Sequence, residues 1–198
     1  MRENISTKFG STELDRNLLN SSFKVQTQWH VITGAPCSGK TTTIDQLRSL
    51  GYQTVPEAGR RFVEKELAKG RSLEEIRFDQ GEFTRRIYDL MLEQEAALQP
   101  DRLYFLDRAI PDAPSFFRYA GMNPNDVISD CFQYRYRSVF ILDRLPCELD
   151  GVRTEGDPGA EFIDYWMERD YADLGYVVMR VPLMPPEERL NYILERIE

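Results

Sequence analysis

Residues 34–41 read Gly-Ala-Pro-Cys-Ser-Gly-Lys-Thr, and this octapeptide constrains the fold more than any other stretch of the chain. Its spacing, G-x-x-x-x-G-K-[ST], is that of a phosphate-binding loop. Glycines let the backbone curl until successive N–H groups converge on phosphate oxygens, and a helix starting near Lys40 adds its positive end. Such a loop works only between a strand and a helix, and both are predicted. Residues 29–33 form an apolar run, with His30 read as a satisfied core residue, and residues 41–50 are amphipathic and closed by Gly51. The expected ligand is the triphosphate of ATP with Mg²⁺. It is to be cradled by Gly34, Ala35, Pro36, Cys37, Ser38, Gly39, Lys40, Thr41 and Thr42. Lys40 is expected to reach the β- and γ-phosphates, and the Thr41 hydroxyl to sit on Mg²⁺.

A strand–loop–helix unit must belong to a larger sheet, and the rest of the chain supplies one. Residues 52–55, 103–106, 138–142 and 175–181 are short apolar runs. Apolar residues at successive positions suit strands covered on both faces, as in a parallel sheet. Helices are predicted between them at 59–69, 73–98, 112–120, 124–134 and 160–174, with a last one at 186–197. Ser72 with Glu75 makes a capping box. Five strands alternating with helices predict a doubly wound α/β domain over residues 26–198, three layers deep, with a five-stranded parallel sheet. Residues 1–25 are polar and charged and are expected to form a flexible or loosely docked extension.

Ligands of open α/β sheets bind beyond the carboxyl ends of the strands. Glu57, Asp107 and Asp143 fall at three such ends. A phosphoryl transferase needs one carboxylate on the metal side and often another to take a proton from the attacking hydroxyl. Asp107 follows its apolar run as a Walker B acid does and is expected on the Mg²⁺ side with Thr41. Glu57 is the candidate base or ligand of the acceptor hydroxyl, its structural alternative being a pair with Arg60 or Arg61. Asp143 is read as a turn cap or partner of Arg144. Arg108, next to Asp107, offers the forked cation that a transferring phosphoryl group needs. Residues 144–160 are punctuated by Gly and Pro without apolar periodicity and are expected to form a lid. Its cations, Arg144 and Arg153, would close over the triphosphate.

Composition narrows the partners. The chain of 198 residues has 25 basic and 33 acidic side chains, a net charge of −8, which argues against non-specific nucleic-acid or anionic-membrane binding. No apolar run is long enough to span a membrane, and the N-terminus lacks the apolar core of a signal peptide. Cys37, Cys131 and Cys147 have no CxxC spacing and read as free thiols of a reducing compartment, so a cytoplasmic chain is expected.

Three segments together resemble a known group. Residues 33–42, Pro56-Glu57-Ala58-Gly59-Arg60 and Leu106-Asp107-Arg108-Ala109-Ile110-Pro111-Asp112 are similar to the signatures of the AAA_28-type P-loop ATPase/kinase family. That family is related to the ribosylnicotinamide kinase domain of the bacterial NAD-biosynthesis regulator and, more widely, to nucleoside and nucleotide kinases. The resemblance covers about residues 28–198 and implies a five-stranded parallel sheet with an arginine-bearing lid. It also implies Glu57 as base, Asp107-Arg108 as an acid–arginine pair, and Asp112 facing an acceptor pocket; Arg61 is a further candidate for binding the acceptor. Two functions follow. The first is an ATP- and Mg²⁺-dependent kinase of a small hydroxyl-bearing, nucleoside-like acceptor; the second is a regulatory ATPase or switch acting through a protein partner. Guanine-switch behaviour is disfavoured because residues 142–146, Leu-Asp-Arg-Leu-Pro, lack the N/T-K-x-D element.

Overall fold

The computed structural model describes residues 12–145 and 157–197. Their order is α1 (Arg16–Leu19), β1 (Val25–Gln26), β2 (Trp29–Thr33), α2 (Lys40–Ser49), β3 (Thr54–Val55), α3 (Ala58–Ala68), α4 (Leu73–Ile76) and α5 (Gln80–Ala96). There follow β4 (Tyr104–Asp107), a 3₁₀ turn (Ile110–Asp112), α6 (Ala113–Tyr119), a second 3₁₀ turn (Pro124–Val127), α7 (Ile128–Cys131) and β5 (Tyr134–Arg135). The chain then runs through β6 (Ser138–Leu142), α8 (Asp157–Asp173), β7 (Val178–Val181) and α9 (Pro186–Leu194).

Five strands form a parallel sheet in the order β3-β4-β2-β6-β7. The strand preceding the phosphate loop is therefore central, with β4 and β6 on either side. Alternating side chains of these strands feed two cores, as a sheet covered on both faces requires. Val31, Leu106, Val139 and Ile141 pack on one face with Met91, Phe117, Met167 and Tyr171 from α5, α6 and α8. Ile32, Phe105, Phe140 and Leu142 pack on the other with Ile44, Leu47 and Ile193 from α2 and α9. His30 is a core residue as expected, its Nδ1 2.6 Å from Ser138 Oγ and its ring stacked on Phe105.

Two expectations change, and a third is decided between its alternatives. The helix predicted over 73–98 is two helices: the Ser72–Glu75 capping box starts α4, and Asp79 caps α5 by accepting from Glu82 N–H. Periodicity on both sides of Arg77-Phe78-Asp79 masked that second cap. The helix predicted over 124–134 breaks into a 3₁₀ turn, α7 and β5. The reason for the last piece lies in the N-terminal segment, whose β1 pairs in parallel with β5. Of the two forms expected of the N-terminal segment, residues 12–25 take the docked one. Leu14 is buried, Phe23 packs on Phe132 and Tyr176, and Thr12 O accepts from Arg118 Nε at 2.7 Å. Their polar composition hid a few apolar anchors; residues 1–11 lie outside the described part. Among the described helices none is long and apolar enough to cross a membrane.

Candidate active site

The phosphate loop owes its shape to positive backbone angles at Gly34, Cys37 and Gly39. At Gly34 no other residue fits: a Cβ would lie 2.7 Å from Leu142 O and 2.9 Å from Ser38 Oγ. Lys40, buried at the start of α2, donates from Nζ to Gly34 O (2.9 Å), Ala35 O (3.1 Å) and Ser38 Oγ (3.2 Å), which holds the ammonium across the loop. Burial, reinforced by the Arg108 charge, brings Lys40 down to about 8. Thr41 lines the adjoining cleft, whereas Thr42 is exposed.

The loop is braced from outside by a residue that sequence reasoning missed. Arg189 of α9 donates to Ser38 O (2.5 Å), Asp143 O (3.0 Å) and Pro182 O (3.2 Å), spanning the loop and the ends of β6 and β7. Nothing in the local pattern of α9 distinguishes it from a surface arginine.

At the end of β4 the backbone turns through Arg108 with φ 73, a left-handed conformation that costs a non-glycine residue energy and concentrates at functional sites. The turn aims the guanidinium between two carboxylates. Nε donates to Glu57 Oε1 at 3.1 Å and Nη1 to Asp112 Oδ2 at 3.2 Å, while the Phe116 ring lies 4.9 Å away. Glu57 thus pairs with Arg108, not with Arg60 or Arg61.

The two carboxylates shift oppositely because their surroundings differ. The Glu57 side chain is 26% exposed; burial works to raise it, but Arg108 and then Lys40 outweigh burial and hold it below the ordinary carboxylate range. Asp112 is 1% exposed, and burial wins over its donors, leaving it above that range. Its oxygens also accept from Thr33 Oγ1 (2.6 Å) and Tyr171 OH (2.7 Å), so it is fully engaged in orienting Arg108. Thr33 and Tyr171 were not foreseen. Thr33 carried a signal in its place just before the loop; Tyr171, on α8, carried none.

Asp107 closes β4, buried, with Oδ1 lacking a hydrogen-bond partner among the described residues. Burial and then the Glu57 charge push it up to about 7. An orphaned carboxylate oxygen at the strand end, with the Thr41 hydroxyl at the head of α2, is a donor set that fits Mg²⁺ held by one hydroxyl and, through water, one acid. Among the described residues no group of three or more His, Cys, Asp or Glu could hold a metal by itself.

Beside the loop opens a cleft of about 1030 Å³, counted with its open mouth, between α3, α5 and α6. Lys40, Glu57, Arg108 and Asp112 lie at one end, and Val63, Phe83, Ile87, Met91, Phe116 and Phe117 form apolar walls. Arg61, expected here, is exposed on the far side of α3; one residue earlier, Arg60 lines the cleft. A helical step of about 100° separates the two, which spacing alone cannot phase. Arg144 lies 3.9 Å from Glu161 of α8. Asp143 pairs with Arg180 at 3.5 Å. Arg153 and residues 146–156 of the expected lid lie outside the described residues. Of the cysteines, Cys131 is a buried free thiol, but Cys37 is disulfide-bonded, against expectation. Sequence spacing excludes only local pairing; long-range pairing is a matter of the fold.

A family model, AAA_28 (AAA domain), matches residues 29–189. No curated protein matches the chain. Among solved structures, NadR in complex with NAD and AMP-PNP superposes with a TM-score of 0.63 at 14% identity over 86% of this chain. The chain spans about half, 49%, of that NadR chain. Deoxyadenosine kinase from M. mycoides gives 0.61 at 13% identity, over 85% of this chain and 97% of its own. Thymidylate kinase from Candida albicans gives 0.57 at 14% identity, over 86% and 91%. Likeness at such low identity shows the fold alone: the three-layer α/β P-loop NTPase fold with a five-stranded parallel sheet.

Proposed function

This chain belongs to the AAA_28 family, and from that premise we propose that it is an ATP-dependent phosphotransferase acting on a small hydroxyl-bearing, nucleoside-like metabolite. The observation that carries the reading is the cleft beside the phosphate loop, closed at its inner end by Glu57 and Arg108 and walled by apolar side chains. A hydrolase or switch needs no largely apolar cleft next to the γ-phosphate; a kinase must hold an acceptor there and keep water out.

In this reading each residue takes the following role. The backbone N–H groups of residues 34–41 and the Lys40 ammonium bind the triphosphate. Thr41 and, through water, Asp107 would hold Mg²⁺, which when bound neutralises charge on the phosphate oxygens. Glu57, kept ionised by Arg108, accepts the proton of the acceptor hydroxyl. As that oxygen bonds to the γ-phosphorus, the bond from phosphorus to the β,γ-bridging oxygen breaks and ADP departs. Arg108, fixed by Glu57 and Asp112, meets the charge spreading over the transferred group. Thr33 and Tyr171 act one step back, by fixing Asp112.

The test is ATP turnover by purified protein with Mg²⁺, alone and with nucleosides, ribosylnicotinamide, sugars and polyols, followed by product identification. One acceptor should raise turnover by orders of magnitude and emerge phosphorylated, and both Lys40→Ala and Glu57→Gln should abolish this. Slow hydrolysis indifferent to every acceptor and to Glu57→Gln would favour a regulatory ATPase acting through a protein partner.

A further inference from the structure

On the outer side of α3 lies a second concavity that the reaction does not use. It is a groove of about 910 Å³, counted with its open mouth, between α3 and α5. Among the described residues only Ala58 borders both this groove and the cleft. The two helices run antiparallel along it. Gln94 Nε2 donates to Pro56 O at 2.9 Å near one end, and the Phe62 and Phe83 rings meet at 6.1 Å near the other. Half-buried Phe62 and Leu90 give the groove an apolar floor.

Its rims are basic, in a chain whose net charge is −8. Arg61 and Lys65 stand on α3, Lys69 at its C-cap and Arg86 on α5, all exposed. The acids of the groove are Glu66 and Glu93. Glu66 is taken up by Lys69 at 2.6 Å and Arg71 at 3.1 Å. Arg61, Lys65 and Arg86 make no ion pair among the described residues. Their charges are spread along the groove instead of converging on one point, as a small anion would need. Arg61 and Lys65 lie one helical turn apart, a rise of about 6 Å, with Arg86 on the opposite helix. Acidic side chains four residues apart on a second helix have the same rise of about 6 Å. Apolar side chains on that face would meet Phe62 and Leu90, as an amphipathic helix laid in a groove requires.

We propose that this groove is a docking site for an acidic amphipathic helix of a partner protein, held by Arg61, Lys65 and Arg86 around an apolar contact with Phe62 and Leu90. The negative charge of the rest of the chain repels such a partner elsewhere, so the groove fixes where it lands. The inference does not rest on the phosphotransferase reading, because the groove and the cleft share no charged residue. A docked helix would lie against α3, which presents Glu57 and Arg60 to the site.

The probe is a labelled synthetic peptide of about 18 residues with Glu and Leu at helical spacing, titrated with the full chain by fluorescence anisotropy. A scrambled peptide of identical composition and inorganic phosphate are run beside it, and thermal unfolding checks that each variant folds. The amphipathic peptide should bind with a Kd in the micromolar range, about tenfold or more tighter than the scrambled one. The double variant Arg61→Glu, Lys65→Glu should weaken it by about tenfold or more, and Leu90→Ala should weaken it without changing its salt dependence. Equal affinity for the scrambled peptide, or binding that survives the double charge reversal, would overturn the inference. Tighter binding of inorganic phosphate than of the peptide would make the groove a small-anion site instead. Self-association that the double reversal abolishes would make its occupant a second copy of this chain. None of these outcomes bears on the phosphotransferase reading, which turns on the acceptor assay.

Discussion

Single residues in this molecule answer for backbone shape and for protons. Gly34→Ala places a methyl group 2.7 Å from Leu142 O at a φ of 143 that L residues avoid. The variant should lose about 1–3 kcal/mol of stability and most of its nucleotide affinity, measurable by denaturant unfolding and by calorimetry with a non-hydrolysable ATP analogue. Glu95 tests a buried proton. Its side chain, 3% exposed on α5, accepts from Ile110 N–H at 2.9 Å and hydrogen-bonds Tyr136 OH at 2.7 Å. Burial pushes it up to about 8, against these two hydrogen bonds. Between the ordinary carboxylate value and about 8, the folded protein holds a proton that the unfolded chain has released. Raising the pH through that window therefore favours unfolding, by an amount on the order of a few kcal/mol. Glu95→Gln should flatten this dependence, so that the variant gains on the parent as the pH rises; parallel slopes in unfolding experiments at pH values across the window would disprove it.

Between elements, the site is held by contacts that local sequence patterns do not announce. Helix α9 reaches the phosphate loop through Arg189, whose guanidinium forks over three carbonyl oxygens. Arg189→Ala should weaken nucleotide binding by roughly one to two orders of magnitude, and Arg189→Lys should recover little, because an ammonium cannot reproduce the fork. Helix α8 reaches the other side of the site through Tyr171 and Asp112. Tyr171→Phe should cost about 1 kcal/mol in thermal unfolding and lower kcat with little change in KM, since it loosens Arg108 and touches no ligand. A change confined to KM would show that Asp112 contacts the acceptor itself.

Across the whole molecule, the open matter is the N-terminal segment. Residues 12–26 contribute β1, the buried Leu14 and the aromatic contacts of Phe23, and Glu13 pairs with Arg169 at 3.0 Å. Thr12 also caps a buried pair, Arg118 with Asp170 at 2.6 Å, that ties α6 to α8. A chain lacking residues 1–26 should lose about 2–4 kcal/mol, a Tm drop of roughly 5–15 °C. An unchanged Tm would show instead that the segment contributes nothing to the fold.

How much of this was legible follows from the range of each interaction. The phosphate loop, the order of strands and helices and the carboxylates at strand ends could be read directly, because each rests on spacing within a few residues or on apolar periodicity. The sequence by itself determined that residues 34–41 form a glycine-shaped loop between a strand and a helix, since glycine freedom and a helix N-terminus are local properties. Only the tertiary structure decided that Glu57 pairs with Arg108, that Arg60 and not Arg61 faces the cleft, and that Thr33, Tyr171 and Arg189 support the site. These contacts join residues 51 and 151 positions apart, for Glu57–Arg108 and Ser38–Arg189. No local pattern encodes such pairings; they arise when packing of the two sheet faces fixes which helix faces meet.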